Sequence, residues 1–379
     1  METKVIFEEM ERLLRASEPF VLATIVRTKG AIPQKPGDKL LVRRDGTTLS
    51  ELEASSVEAE ATMEATKALK AGRALLREFE FSEEEAAQGG AVCAGTMGVL
   101  IDPISEKSYL MTLIQEILRA LKGESAVTLA TLIKPSQERG VAGAKLLIRE
   151  DGSRLGSLGD GFLEDRSAKR AGQLMAYGAK ELLTTERGEE VFIETYTTSP
   201  TILILGAGDL AKALYTLARP LGFRVLVVDD SPDFANKMRF PEADKVIAED
   251  FSKAHLDVTS NTFIVVATRG HEKDDVALLA AVRTKARYVG MVGSKSHILE
   301  MLGNLMAQGI SFERVKEIRA PIGLKLGGLM PADIALCILA EIQMVRFGTS
   351  GKPMKIEEEL LLPLRKKARV SGDAERGKP

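Results

Sequence analysis

The sequence predicts an α/β protein in which an N-terminal α/β region of two related units precedes a doubly wound parallel sheet. Three observations predict it. Residues 200–230, PTILILGAGDLAKALYTLARPLGFRVLVVDD, read as strand, glycine turn, helix and second strand. Residues 20–58 and 127–164 repeat one another in register. Apolar runs within 262–275 and 286–309 end in polar or glycine loops, as buried parallel strands do.

Taken in chain order, METKVIFEEMERLLRA has the spacing of an amphipathic helix and lacks the basic start and unbroken apolar core of a signal peptide. No later apolar run is long enough to span a bilayer, so a cytoplasmic protein is expected. The repeat follows. Leu22-Ala23-Thr24 matches Leu129-Ala130-Thr131. After a one-residue gap, Gly37, Lys39, Leu40, Leu41, Arg43, Asp45 and Gly46 match Gly143, Lys145, Leu146, Leu147, Arg149, Asp151 and Gly152, and the register runs on to Glu58 and Glu164. Each copy reads as strand, loop, strand, Asp-Gly turn, short strand and helix. The second copy keeps Gly156, Gly159 and Gly161 where the first has Ser50, Glu53 and Ser55. Between the copies, GGAVCAGTMGVLIDPI sets Cys93 and Gly95 in a small-residue loop before an apolar strand. Cys93 reads either as a small buried hydrophobe or as a thiol that glycines leave accessible.

In the second half, Thr201–Leu205 is apolar on both faces, as a strand covered by helices on both sides must be. Gly206 and Gly208 permit a tight turn and close backbone approach, and Ala211 supplies the small residue where helix meets strand. The helix start at Asp209 is an anion site by its dipole. Asp229 ends the second strand at the spacing where an acid takes ribose hydroxyls, which makes the domain Rossmann-like. TFIVVATRGHEKDD places His271 in a loop at a strand end, where it contacts phosphate, transfers a proton or caps the next helix. Gly293 and Ser294 open a second anion-binding helix start, with His297 in its first turn. A glycine-rich loop then leads to Pro331 at a helix start, and Cys337 within that helix is expected in the core. Domains are expected at 1–198 and 199–347, with a partly mobile tail over 348–379.

Composition narrows the function. The chain has 379 residues, 45% hydrophobic, with 52 basic against 54 acidic side chains and a net charge of -2. That balance gives no electrostatic reason to expect nucleic acid or a membrane as partner. Cys93 and Cys337 are too few for a disulfide scaffold, and neither sits in a metal-type pair.

GAGDLAKAL, VLVVDDSPDFANKMRFPEAD, RYVGMVGSKS, APIGLKLGG and MPADIALCILAEI, in that order, resemble the C-terminal domain of the XdhC/CoxI family of xanthine dehydrogenase accessory proteins. GAIPQKPGDKLLVRRDG resembles that family's Gly-Ser-x-Pro-Arg-x-x-Gly segment, and CAGTMGVLIDP its Cys-Gly-Gly motif. The resemblance implies a maturation factor for molybdenum hydroxylases of the xanthine dehydrogenase or aldehyde oxidoreductase type. It would bind the molybdenum cofactor (molybdopterin) as cargo, support sulfuration by a cysteine desulfurase, and deliver the cofactor to the apo-hydroxylase, acting as a chaperone rather than a catalyst. Carried over by position, Cys93, Gly206, Gly208, Gly293 and Ser294 match family motif residues. A symmetric homodimer is also expected.

Departures mark a divergent branch. Asp209 stands where the family commonly has His, and its carboxylate repels a phosphate placed over the turn. Asp230-Ser231 replaces Asp-Arg, Ala31-Ile32-Pro33-Gln34 replaces Ser-x-Pro-Arg, and Cys93-Ala94-Gly95 replaces Cys-Gly-Gly. Two other functions compete on the residues alone: an NAD(P)-dependent oxidoreductase, and a non-catalytic nucleotide sensor.

Overall fold

The computed structural model describes residues 3–30, 32, 34–51, 56–81, 95–105, 108–136, 139–254 and 256–356. Cys93, Ala94 and the end of the chain from 357 lie outside these residues. Among the described residues no helix is long and apolar enough to cross a membrane.

The repeat seen in the sequence extends over two whole units. The first contains α1 (Thr3–Ala16), β1 (Phe20–Gly30), β2 (Lys39–Arg43), β3 (Thr48–Ser50), α2 (Ser56–Ala71), β4 (Leu75–Phe81) and β5 (Gly95–Ile104). The second contains α3 (Ser108–Leu121), β6 (Val127–Lys134), β7 (Lys145–Arg149), β8 (Arg154–Gly156), α4 (Gly161–Met175), β9 (Lys180–Thr184) and β10 (Glu190–Tyr196). Their antiparallel sheets have the same strand order, β3-β2-β1-β5-β4 and β8-β7-β6-β10-β9. Matched residues take matched registers: Thr24 faces Lys39 as Thr131 faces Lys145. Asp45 and Asp151 each accept the backbone N–H two residues on, at 2.9 Å, which fixes the turn at Gly46 and Gly152. Arg43 pairs with Glu9 of α1 at 2.7 Å, and Arg149 with Glu116 of α3 at 2.6 Å.

Alternation along the strands divides their side chains between two layers. Val21, Ala23 and Ile25 of β1 pack with Ala61, Ala65 and Ala68 of α2. The other face joins both units in one core, where α1 (Phe7, Met10, Leu14) and α3 (Ile114, Ile117) cover Leu22, Leu41, Leu129 and Leu147. In that shared core each unit satisfies the other's buried lysine. Lys39 reaches Glu194 of β10 at 2.5 Å, with the two side chains 1% and 3% exposed. Lys145 pairs with Asp102 of β5. Asp102 and Glu194 hold equivalent positions, opposite Leu22 and Leu129. The four charged side chains, with Thr24 and Thr131, line a cavity of about 20 Å³, room for about one water molecule. Burial pushes the Lys39 ammonium below the usual lysine range, with Glu194 opposing.

The third sheet is parallel, in the order β13-β12-β11-β14-β15, with β11 (Thr201–Leu205), β12 (Arg224–Asp229), β13 (Lys245–Ala248), β14 (Thr262–Val266) and β15 (Tyr288–Met291). That is the strand order of a Rossmann fold. Helices α5 (Asp209–Ala218) and α9 (Pro331–Phe347) cover one face, packing Leu214 and Ile338 on Ile202, Val227 and Phe263. Helices α6 (His271–Val282), α7 (Lys295–Ala307) and α8 (Phe312–Lys316) cover the other, packing Leu278, Met301 and Val315 on Leu203, Val228 and Ile264. All-apolar strands are therefore required. Cys337 corrects an expectation: it lies half-buried on α9 with its Sγ 3.7 Å from the Gly327 carbonyl, on the loop side of the helix rather than in the core. The tail residues 348–356 are exposed and carry no regular structure.

Candidate functional site

The carboxyl edge of the parallel sheet gathers most of the residues singled out in the second half. The strand β11 ends at Gly206, whose φ of +114° is open to glycine but strained for other residues. A Cβ there would stand 2.1 Å from the Ala267 carbonyl oxygen, so β11 and the end of β14 approach only because Gly206 has no side chain. Gly208 caps α5 without a side-chain hydrogen bond, and Asp209 begins the helix. Ala211 is fully buried against the sheet.

Asp229 is 1% exposed and its carboxylate is fully engaged. Oδ2 accepts the Ala207 N–H at 2.8 Å, and Oδ1 accepts the Ser231 N–H at 3.0 Å. The guanidinium of Arg269, from the loop after β14, donates Nη2 to Oδ1 at 2.7 Å and Nε to Oδ2 at 3.4 Å. Burial works against ionisation, but Arg269 and the two backbone donors together hold this carboxyl below the usual aspartate range. The sequence assigned Asp229 to ribose hydroxyls; in the fold its backbone contacts fasten the glycine turn and the loop after β12.

Three residues that the sequence pattern did not single out complete the edge. The Arg269 guanidinium carbon lies 3.4 Å from the centre of the Phe234 ring, and that of Arg239 lies 5.2 Å from it. Arg239 also donates Nη2 to the Ala207 carbonyl and to Asp209, both at 3.4 Å, while its buried Nε has no partner among the described residues. The repulsive Asp209 carboxylate is thus partly offset, and it points outward, 85% exposed. Arg269 stands within TRGHEKDD, two positions before His271; Arg239 and Phe234 stand within SPDFANKMRF. The two arginines put positive charge at this edge although Ser231 stands where the family has Arg.

A second cluster links the loop after β14 to the Gly293-Ser294 turn. Asp274 of α6 accepts from the Thr268 hydroxyl and pairs with His297 Nε2 at 2.8 Å. His297 is in the first turn of α7, and its backbone N–H donates to the Ser294 side chain that caps the helix. Lys273 of α6 pairs with Asp230 of the loop after β12. His271 is the first residue of α6, and Gly270 rather than His271 caps that helix. The structure therefore brings Gly206, Gly208, Asp209 and Asp229 into one turn and ties the Gly293-Ser294 turn to the neighbouring loop. Gly95 belongs to the first unit, where it opens β5 opposite Gly30.

Residues 202–342 match the XdhC Rossmann domain, and residues 13–80 and 120–186 match the XdhC and CoxI family, one segment in each repeated unit. The chain belongs to the XdhC and CoxI family. Among its relatives is a protein of Bacillus subtilis strain 168 named as a probable subunit of xanthine dehydrogenase, 24% identical over 341 residues, covering 89% of this chain and 96% of that protein. The protein YqeB of Escherichia coli K12 is 27% identical over 225 residues, covering 55% of this chain and 41% of YqeB, so this alignment spans less than half of that protein. A crystal structure described as a xanthine dehydrogenase from Bacillus halodurans aligns with 92% of this chain and 98% of its own, at 23% identity and a TM-score of 0.43.

Proposed function

We propose that the protein is an accessory factor that carries the molybdenum cofactor to a xanthine dehydrogenase-type apo-enzyme. The observation that carries this reading is the similarity over 89% of the chain to a protein named as a probable xanthine dehydrogenase component, in a chain of the XdhC and CoxI family. The site chemistry is compatible with it. The cargo is an organic anion, a pterin bearing a phosphate, and the Rossmann edge offers Arg239, Arg269 and two helix starts to such a group. Arg239 has a buried Nε without a partner among the described residues, a donor that a bound phosphate oxygen satisfies. A nicotinamide-dependent reaction is less well supported, because no Tyr-x-x-x-Lys pair accompanies the glycine turn.

On this reading the protein holds the cofactor while a cysteine desulfurase supplies its terminal sulfur, then passes it to the client. Cys93 and Gly95 are assigned to the cofactor by their match to the family's Cys-Gly-Gly motif. A cytoplasmic homodimer is the working assembly. The test is anaerobic mixing of purified protein with cofactor released from a molybdoenzyme, followed by measurement of pterin and metal co-eluting with wild type and Cys93→Ala. Stoichiometric retention by wild type, reduced in the variant, is expected. No retention, together with tight NAD(P) binding, would overturn the proposal.

A further inference from the structure

The contact between Arg269, Asp229 and Phe234 has the form of a ligand in a binding site. Each Asp229 oxygen takes one backbone N–H, from Ser231 or Ala207, and one guanidinium N–H. The backbone donors fix the carboxylate plane, so both oxygens present a free direction outward as a pair. Filling that pair is a flat N–C–N group with two parallel N–H donors, lying 3.4 Å from the centre of an aromatic ring.

The burial of the partners differs. Asp229 and its two backbone donors belong to the fold, and the carboxylate is 2% exposed, whereas the Arg269 side chain is 32% exposed. Arg269 is followed by Gly270 at φ +129°, and its stem passes Gly208, which presents no side chain to hold it. The arginine is therefore the member of the trio that can leave for solvent, or for an anionic part of an incoming molecule, without unfolding the turn.

We propose that Asp229 and Phe234 form a receptor for the 2-amino-4-oxopyrimidine edge common to pterins and guanine, and that Arg269 is the resident mimic such a ring displaces. This edge carries a ring N–H beside an exocyclic amine, two adjacent donors with the spacing a carboxylate accepts. The fused ring behind it stacks on Phe234 as the guanidinium does. Adenine offers a ring acceptor beside its amine, which faces the carboxylate with a lone pair, so the receptor rejects it. For a pterin source the proposal rests on the cargo reading above; for a guanine source it stands without it.

The experiment titrates the uncharged, fluorescent 6-hydroxymethylpterin, guanosine and adenosine, which carry no anionic group for Arg269 to follow, into the full-length protein, as wild type, Arg269→Ala and Phe234→Leu. Pterin and guanine bind wild type and adenine does not. Arg269→Ala tightens both by about tenfold, because the competent open state no longer competes with an internal occupant. Phe234→Leu weakens both by about tenfold. Unchanged or weaker binding in Arg269→Ala, or equal binding of adenine, overturns the receptor. Retention of intact molybdenum cofactor is measured on the same preparations. Retention with no response of pterin binding to either variant overturns the receptor and leaves the carrier standing. The expected guanine pattern without cofactor retention sustains the receptor and overturns the carrier.

Discussion

Replacing Lys39 by Met leaves Glu194 as a carboxylate 3% exposed between the two repeated units, without its main cation. Removing one partner of a buried ion pair costs about 3–5 kcal/mol, because the remaining charge keeps its desolvation penalty and loses its compensation. Lys180 stands 4.0 Å from Glu194 and is 29% exposed, so it moderates the loss, and the lower end, about 3 kcal/mol, is expected. At about 2–4 °C per kcal/mol for a melting unit of 150–250 residues, the transition falls by roughly 6–12 °C. The double variant Lys39→Met with Glu194→Leu removes both charges from a site whose neighbours include Phe7, Met10 and Leu22, and it returns to within about 1 kcal/mol of wild type. Scanning calorimetry of the full chain, paired with urea unfolding, reads both numbers. A single variant as stable as wild type, or a double variant as unstable as the single, would refute the reasoning that the cost is an uncompensated charge rather than lost packing.

Gly206→Ala forces a Cβ to 2.1 Å from the Ala267 carbonyl at a φ of +114°, so a loss above the 1–3 kcal/mol typical of backbone strain alone is expected, read as a lower urea midpoint. Asp229 has a native pKa below its unfolded value, so the unfolded chain binds more protons as the pH falls. The stability it contributes is complete above about pH 4 and is lost as the pH drops through the native pKa, and Asp229→Asn flattens that limb of the stability curve. Tyr288→Phe removes the phenol donor 2.6 Å from the buried Glu341 carboxylate, which also accepts the Gly323 N–H at 2.9 Å. A loss of about 1.5–3 kcal/mol is expected from denaturant curves, with faster hydrogen exchange at Gly323.

Features set by short stretches of chain were legible in the sequence. The apolar run Thr201–Leu205, the turn at Gly206 and Gly208, the Asp-Gly turns at Gly46 and Gly152 and the helix start at Pro331 all depend on residues within a few positions of one another. The repeat was legible too, because Lys39 and Lys145 recur in register. What those lysines bind was not. Glu194 lies 155 residues from Lys39, and no periodicity connects them. The same holds at the sheet edge, where Arg269 meets Asp229 across 40 residues. Reading Asp229 from its spacing gave its place correctly and its partners incompletely, since a carboxylate at a strand end can face a ligand or its own turn equally well.

The crossed pairs have a consequence for how the repeat is held together. If each unit paired its own lysine with its own acid, either could bury its charges alone; instead Lys39 needs Glu194 of the second unit and Lys145 needs Asp102 of the first. The apolar core is divided in the same way, with α1 and α3 covering strands of both sheets. A separated unit therefore exposes an apolar face and carries a lysine whose partner is gone, two penalties that disappear together on reassociation. Cutting the chain between β5 and α3 and co-expressing residues 1–106 with 107–379 should yield a copurifying pair with a cooperative melt. The first piece expressed alone should be insoluble or melt without a sharp transition, and the second should melt cooperatively only through its parallel-sheet domain. A first piece that melts cooperatively as a monomer would mean that the crossed charges decorate two self-sufficient units rather than join two incomplete ones.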